Sequence, residues 1–170
     1  DLDELKATLD ERTALVAVML VNNEIGVIQP LAEAARLAHG TGALMLCDAV
    51  QGLGRVDLPE GPDLVAVSAH KIHGPKAIGA LWMRDGVEPA ALIHGGGQEM
   101  GIRSGTLSPA LCVGFGAAVR LASERRSADH AHVERLWGAA RGELGPGWGI
   151  NGSTDDRYHA NLKLRREGLD

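Results

Sequence analysis

Cysteine is nearly missing from this sequence: Cys47 and Cys112 are the only two in 170 residues, far apart and in no CxxC pair. That excludes a disulfide framework and a cysteine-rich metal site. Each stands in an apolar segment, "ALMLCDA" and "PALCVGF", so both are expected as reduced core residues, which fits a cytoplasmic protein. No apolar run approaches the ~20 residues of a membrane span, and no signal-peptide pattern is present. A basic excess is missing as well. The formal net charge of −5 argues against nucleic acid and membrane surfaces as partners, since both select a concentrated basic face. The one basic cluster, "LKLRREG" (162–168), reads as solvated surface. There is no initiator methionine, the first residues read as a helix already under way, and the last stop at a strand. An internal piece of a longer protein is the expectation.

What is present is a globular composition, 45% hydrophobic and 23% charged, in a chain long enough for one core. Glycine is abundant, 23 residues against a usual share of about 7%. Its clusters at 95–105 and 138–152 point to loops whose backbone geometry matters.

Periodicity gives the elements. Leu2, Leu5 and Leu9 fall on one face of a helix over 2–11. "ALVAVMLV" (14–21) is a strand without polar alternation, which predicts burial on both faces as in a parallel sheet. A helix over 30–40 starts at Pro30 and stops at Gly40. Strands follow at 43–47 and 63–69. A fourth at 79–84 comes after so short a loop that it is expected to be antiparallel or at an edge. Helices are predicted over 108–126, capped by Ser108, and over 129–143, with a polar stretch near 127 as a candidate domain boundary. Strand–helix–strand alternation makes the fold α/β with a mostly parallel sheet flanked by helices.

Three of these strands end in unusual polar groups: Asn22-Asn23-Glu24, then Asp48 with Gln51, then Ser68-Ala69-His70-Lys71. Parallel strands bring such ends to one rim, where α/β sheets bind ligands. A lysine amine in a partly desolvated cleft can bond an aldehyde carbon. An aspartate can keep a pyridine nitrogen protonated. Ser68 and His70 can donate to a phosphate, and Gln51 and Asn23 to a phenolic oxygen or a substrate carboxylate. Together these fit pyridoxal 5′-phosphate better than any other common cofactor. The bland alternatives are a surface lysine, an Asp48 helix cap and asparagine turns, with Asn22 only shaping its loop. The histidines at 70, 73 and 94 lack metal-ligand spacing, and "GPKAIGAL" lacks the Gly-Lys-Ser/Thr ending of a nucleotide loop.

The blocks "NNEIGVIQP", "DAVQGLGRVDL", "SAHKIHGPKAIGAL" and "HGGGQEMGIRSGTLSP" resemble, in order, four signature blocks of the cysteine desulfurases, class V fold-type I enzymes dependent on pyridoxal phosphate. "RYHANLKL" resembles the start of that family's small C-terminal domain, so the resemblance covers nearly the whole chain. It implies a partial cofactor-binding large domain over 1–127 and the start of a small α+β domain over 128–170. It implies that Lys71 is the covalent anchor of the cofactor, that Asp48 pairs with the pyridine nitrogen and Gln51 with the ring hydroxyl, and that Asn23 lies beside ring and substrate. Ser68 and His70 would bind the phosphate, and Thr106 would reach the phosphate of a partner subunit in a homodimer. The implied substrate is L-cysteine, converted to L-alanine and an enzyme-bound persulfide that a sulfur-acceptor or scaffold protein receives for iron–sulfur clusters or thio-cofactors. Met100 stands where the family usually has arginine, and neither Cys47 nor Cys112 matches the family's persulfide-bearing cysteine. Another class V enzyme such as a selenocysteine lyase, or a non-catalytic truncated remnant, is the alternative.

Overall fold

The computed structural model describes residues 1–169. Helix α1 (Leu2–Thr8) is capped by the Asp1 carboxylate, which accepts from the amides of Asp3 and Glu4. It is shorter than expected because Leu9 turns to extended backbone, yet Leu2, Leu5 and Leu9 still pack as one stripe on the core. Strand β1 (Leu15–Met19) leads to α2 (Leu31–His39) and then to β2 (Leu44–Asp48), β3 (Leu64–Ser68) and β4 (Gly79–Met83). The sheet order is β1-β2-β3-β4. The first three strands are parallel and β4 is antiparallel at the edge, as its short preceding loop predicts.

The core lies where α2 covers the sheet: Leu31, Ala34, Ala35 and Ala38 meet Val16, Met45 and Cys47. The expectation that β1 is buried on both faces fails. Val16 is buried, but Leu15 and Met19 are 46% and 38% exposed. As a sheet edge covered by α2 on one side only, β1 has no described element over its other face.

The two helices expected after residue 108 are one, α3 (Pro109–Glu143), 35 residues long. Ser108 occupies the cap position but makes no side-chain cap hydrogen bond. The polar stretch near 127 is a solvated helical surface rather than a break. Arg125 pairs with Asp129 at 3.0 Å, Arg120 with Glu124 at 3.9 Å and His130 with Glu134 at 3.8 Å, all one turn apart. Cys112, expected in the core, is exposed on this helix, whereas Cys47 is buried as expected. The apolar neighbours of Cys112 do not protect it, because α3 buries only Phe115, Ala118 and Trp137. A two-stranded ribbon, β5 (Gly149–Ile150) with β6 (Leu164–Arg165), closes the chain. Among the described residues no helix is long and apolar enough to cross a membrane.

A buried carboxylate locks the sheet at the end away from the polar rim. Asp63 is fully buried; it accepts from the Met45 amide at 2.7 Å and from Arg84 Nε at 2.7 Å, and it meets His39 Nε2 at 2.8 Å. Burial pushes its carboxyl up, but the Met45, His39 and Arg84 hydrogen bonds outweigh that and hold it below the usual carboxylate range. One side chain thus ties α2, β2, β3 and β4 together.

Candidate functional site

Parallel pairing aligns the ends of β1, β2 and β3. Met19 lies opposite Asp48, and Asp48 opposite Ala66, two residues before Ser68. The polar ends therefore share one rim, as the strand order requires. Asp48 is exposed there; its Oδ1 accepts from the Val50 amide at 3.0 Å, which starts the tight turn that carries Gln51.

Beyond Ser68 the chain winds into a short 3-10 turn, Ala69–Ile72, that presents Lys71 half-buried. The turn ends at His73, whose φ of 64° is left-handed. Ala69 and Ile72 anchor it inward against Phe115 and Ala118 of α3. Ser68 Oγ and His70 Nδ1 are hydrogen-bonded at 2.8 Å, so the two expected phosphate donors are neighbours in space. Among the described residues, Lys71 Nζ forms no hydrogen bond or ion pair, whereas the carbonyl of Lys71 accepts from Arg55.

A row of small residues on α3 sets the height of this turn. Gly114 lies against Pro75, Ala118 against Gly74, and Ala122 against Gly54, one helical turn apart each time. A Cβ on Gly74 would come within 2.9 Å of the Ala69 carbonyl and 3.0 Å of Ala118 Cβ. The segment carrying Lys71 therefore rests on the helix with no room to spare.

A cleft of about 690 Å³ opens beside it, lined by Gln51, Arg55, Lys71, Ala122, Tyr158 and Asn161 among others. Arg55 crosses it, donating to the Gln51 carbonyl at 3.1 Å, to Gln51 Oε1, and to the Lys71 carbonyl at 2.8 Å. Its guanidinium lies 5.9 Å from the centre of the Tyr158 ring. Burial pushes the Tyr158 hydroxyl above its usual pKa, partly offset by Arg55.

Asn23 sits in a tight loop, 22–27, that Asn22 shapes. Asn22 Oδ1 accepts from the amides of Glu24 and Ile25 at 2.9 and 3.0 Å. The C-terminal segment clamps this loop. Asn161 Nδ2 donates to the Asn23 carbonyl at 2.7 Å, Lys163 Nζ meets Glu24 at 2.6 Å, and Arg157, buried against the Trp137 ring, donates to the Ile25 and Asn161 carbonyls. The Asn23 side chain stays exposed. Thr106 is exposed in the loop before α3 and makes no side-chain hydrogen bond among the described residues.

The structure thus brings Gln51 and Lys71 to one cleft and Ser68 to His70, with Asp48 at the adjacent strand end. Asn23, Asp48, Ser68, His70 and Thr106 are not among the residues lining that cleft. Sequence reasoning missed Arg55, Arg157 and Tyr158. Arg55 was visible four residues after Gln51, the spacing of one turn, but no pattern marks an arginine that serves carbonyls rather than carboxylates. Among the described residues no cluster of three or more His, Cys, Asp or Glu could hold a metal.

Residues 1–157 match the model of the aminotransferase class-V family. Over its whole length the chain is 42% identical to a cysteine desulfurase IscS of Rickettsia bellii and spans 43% of that relative. It superposes on the X-ray structure of a NifS-like protein from Rickettsia africae with a TM-score of 0.90 at 30% identity, covering 100% of this chain and 49% of that one. The structure of SspA in complex with cysteine matches with a TM-score of 0.82 at 31% identity, covering 98% and 48%.

Proposed function

We propose, from a chain that belongs to the aminotransferase class-V family, that it forms part of a pyridoxal 5′-phosphate-dependent cysteine desulfurase. One arrangement supports this above the others: Lys71, whose amine has no partner among the described residues, lines a cleft with Gln51 and follows directly on the Ser68–His70 pair. The donor set fits the cofactor. An amine, a carboxylate, a carboxamide and a hydroxyl–imidazole pair are the groups needed for an aldehyde, a pyridine nitrogen, a phenolic oxygen and a phosphate.

When bound, the cofactor supplies an aldehyde carbon for amine exchange and a ring that accepts electrons from the substrate. Lys71 Nζ would bond that carbon and, once displaced by the substrate amine, would move the α-proton. The Asp48 carboxylate would hold the proton on the ring nitrogen. Ser68 Oγ, His70 and the turn beyond them would bind the phosphate, and Gln51 would donate to the ring oxygen. Asn23 would lie beside ring and substrate. The exposed Thr106 would reach a second subunit's phosphate in a homodimer, a surface to which the exposed Leu92, Ile93 and Met100 would add apolar area. The substrate in this reading is L-cysteine, released as L-alanine with its sulfur passed to a cysteine and then to a sulfur-acceptor or scaffold protein.

Neither thiol of this chain suits the sulfur-carrying role. Cys47 is buried, and burial together with the neighbouring Asp48 pushes it up to about 11, leaving almost no thiolate at neutral pH. Cys112 is on α3, in no family motif. The carrier is therefore assigned to protein outside residues 1–170. Residues 1–127 are read as the cofactor-binding domain and 128–170 as the start of a smaller one, α3 running through both. The unpaired thiols support a cytoplasmic setting.

The test is alanine formation from L-cysteine by the natural full-length protein with added cofactor and a thiol reductant. Activity that disappears in Lys71→Ala is expected. Undiminished turnover in that variant contradicts the proposal.

A further inference from the structure

We infer that Arg55 is a positioning residue for the cofactor: it engages the oxygen of the Gln51 carboxamide so that the NH2 group, and not the oxygen, is left free for the cofactor's ring oxygen. This rests on the cofactor reading given above. A guanidinium carries donors only, so the carboxamide atom that faces Arg55 Nη1 must be oxygen, Oε1. The two hydrogens on Gln51 Nε2 are left for another partner, and none of the described residues accepts them. An amide turned the other way would set a lone pair against the cofactor's ring oxygen. Arg55 removes that option.

Two further observations separate this from a merely structural arginine. Among the described residues Arg55 forms no ion pair; its charge is given to three neutral oxygens, two of Gln51 and the carbonyl of Lys71. Arg55 joins two residues far apart in sequence: it lies 4 residues from Gln51 and 16 from Lys71. The same fork that orients the amide therefore fixes the main chain of the anchoring lysine. A lysine at 55 could satisfy only part of this set, having no planar fork.

The natural full-length protein is loaded with pyridoxal 5′-phosphate and its visible absorption is titrated against pH. In Arg55→Met the midpoint is expected to rise by about 0.5–1 unit, the equivalent of one neutral hydrogen bond. Without its donor the ring oxygen keeps more negative charge and holds the neighbouring nitrogen's proton more tightly. Loss of the arginine's charge alone would act in the same direction, and His73, Arg125, Arg126, Asp129 and His130 also face the cleft. Gln51→Ala separates the two. It is expected to raise the midpoint equally, and the double variant to go no higher than either single one. Additive shifts overturn the route through Gln51. An unchanged midpoint in Arg55→Met, with borohydride still trapping the cofactor on Lys71, overturns the inference and leaves the proposed function standing. Failure to trap it in the unaltered protein overturns both. Arg55→Gln, polar but without the fork, gives the same reading if the methionine variant does not fold: a raised midpoint supports the inference and an unchanged one overturns it.

Discussion

Gly54 and Ala122 touch so closely that a Cβ on Gly54 would lie 2.9 Å from the Ala122 Cβ, with φ at +73° besides. With Ala118 against Gly74 and Gly114 against Pro75, this contact sets how near α3 comes to the turn that carries Lys71. Ala118 is 6% exposed, so a larger side chain has nowhere to go. Ala118→Leu is expected to cost about 1–3 kcal/mol by overpacking and, on the proposed function, to weaken cofactor retention. Urea unfolding and the cofactor's dissociation constant measure the two effects. Unchanged values for both would show that the seam does not hold the turn.

Asp63 gives a prediction about stability and pH. Removing it in Asp63→Ala leaves the Met45 amide buried without its acceptor. Arg84 and His39 are 55% and 42% exposed and recover water, which places the loss near the low end of the range for a broken buried pair, about 3 kcal/mol. Because the folded carboxyl lies below its unfolded value, its stabilisation is fully present above the unfolded pKa of about 3.9. It is lost as pH falls through the folded value. Acid unfolding should therefore be less steep in the Asp63→Ala variant below pH ~4. A variant with the unaltered protein's acid profile would remove Asp63 from this role.

Arg157 holds the loop of Asn23 from the far end of the chain. It is 5% exposed, and burial lowers its pKa from the usual value. The Ser153 and Asn161 carbonyls at 3.1 and 2.9 Å, the Ile25 carbonyl and the Trp137 face offset part of that burial, while Arg157 Nε is buried without a partner. Arg157→Ala should lose about 2–4 kcal/mol, a few hydrogen bonds to a charged donor. It should also speed proteolysis within 22–27. Arg157→Lys should recover little, lacking the fork. Equal cleavage rates in all three proteins would show that the loop holds its own shape.

The two thiols should differ sharply in reactivity. With Cys47 raised to about 11, roughly one thousandth of it is thiolate at pH 8, and it is buried as well. Brief treatment of the native protein with iodoacetamide at pH 8 should alkylate Cys112, which is exposed, and spare Cys47. Mass mapping of the two peptides decides this, and label on Cys47 would contradict its burial.

Much of this was open to inspection in the sequence, and the reasons for the rest are physical. β2, β3 and the antiparallel β4 followed from apolar runs and loop length, because strand length and burial leave a direct compositional mark. The shared rim followed from parallel pairing. β1 misled because an apolar run does not say whether a second layer covers it. The helix break expected between 126 and 129 misled because charge looks the same in a loop and on a solvated helix; the one-turn spacing of Arg125 with Asp129 marks the helix. Cys112 misled because apolar neighbours on a helix face several directions at once. Arg55 and Arg157 stayed hidden because their partners are carbonyls, and a backbone acceptor has no letter in a sequence.

The most direct measurement is borohydride reduction of the full-length protein with pyridoxal 5′-phosphate, followed by peptide mapping. One labelled peptide is expected, modified at Lys71 and absent in Lys71→Ala. Label on the exposed Lys76 instead, or none in a folded protein, would contradict it.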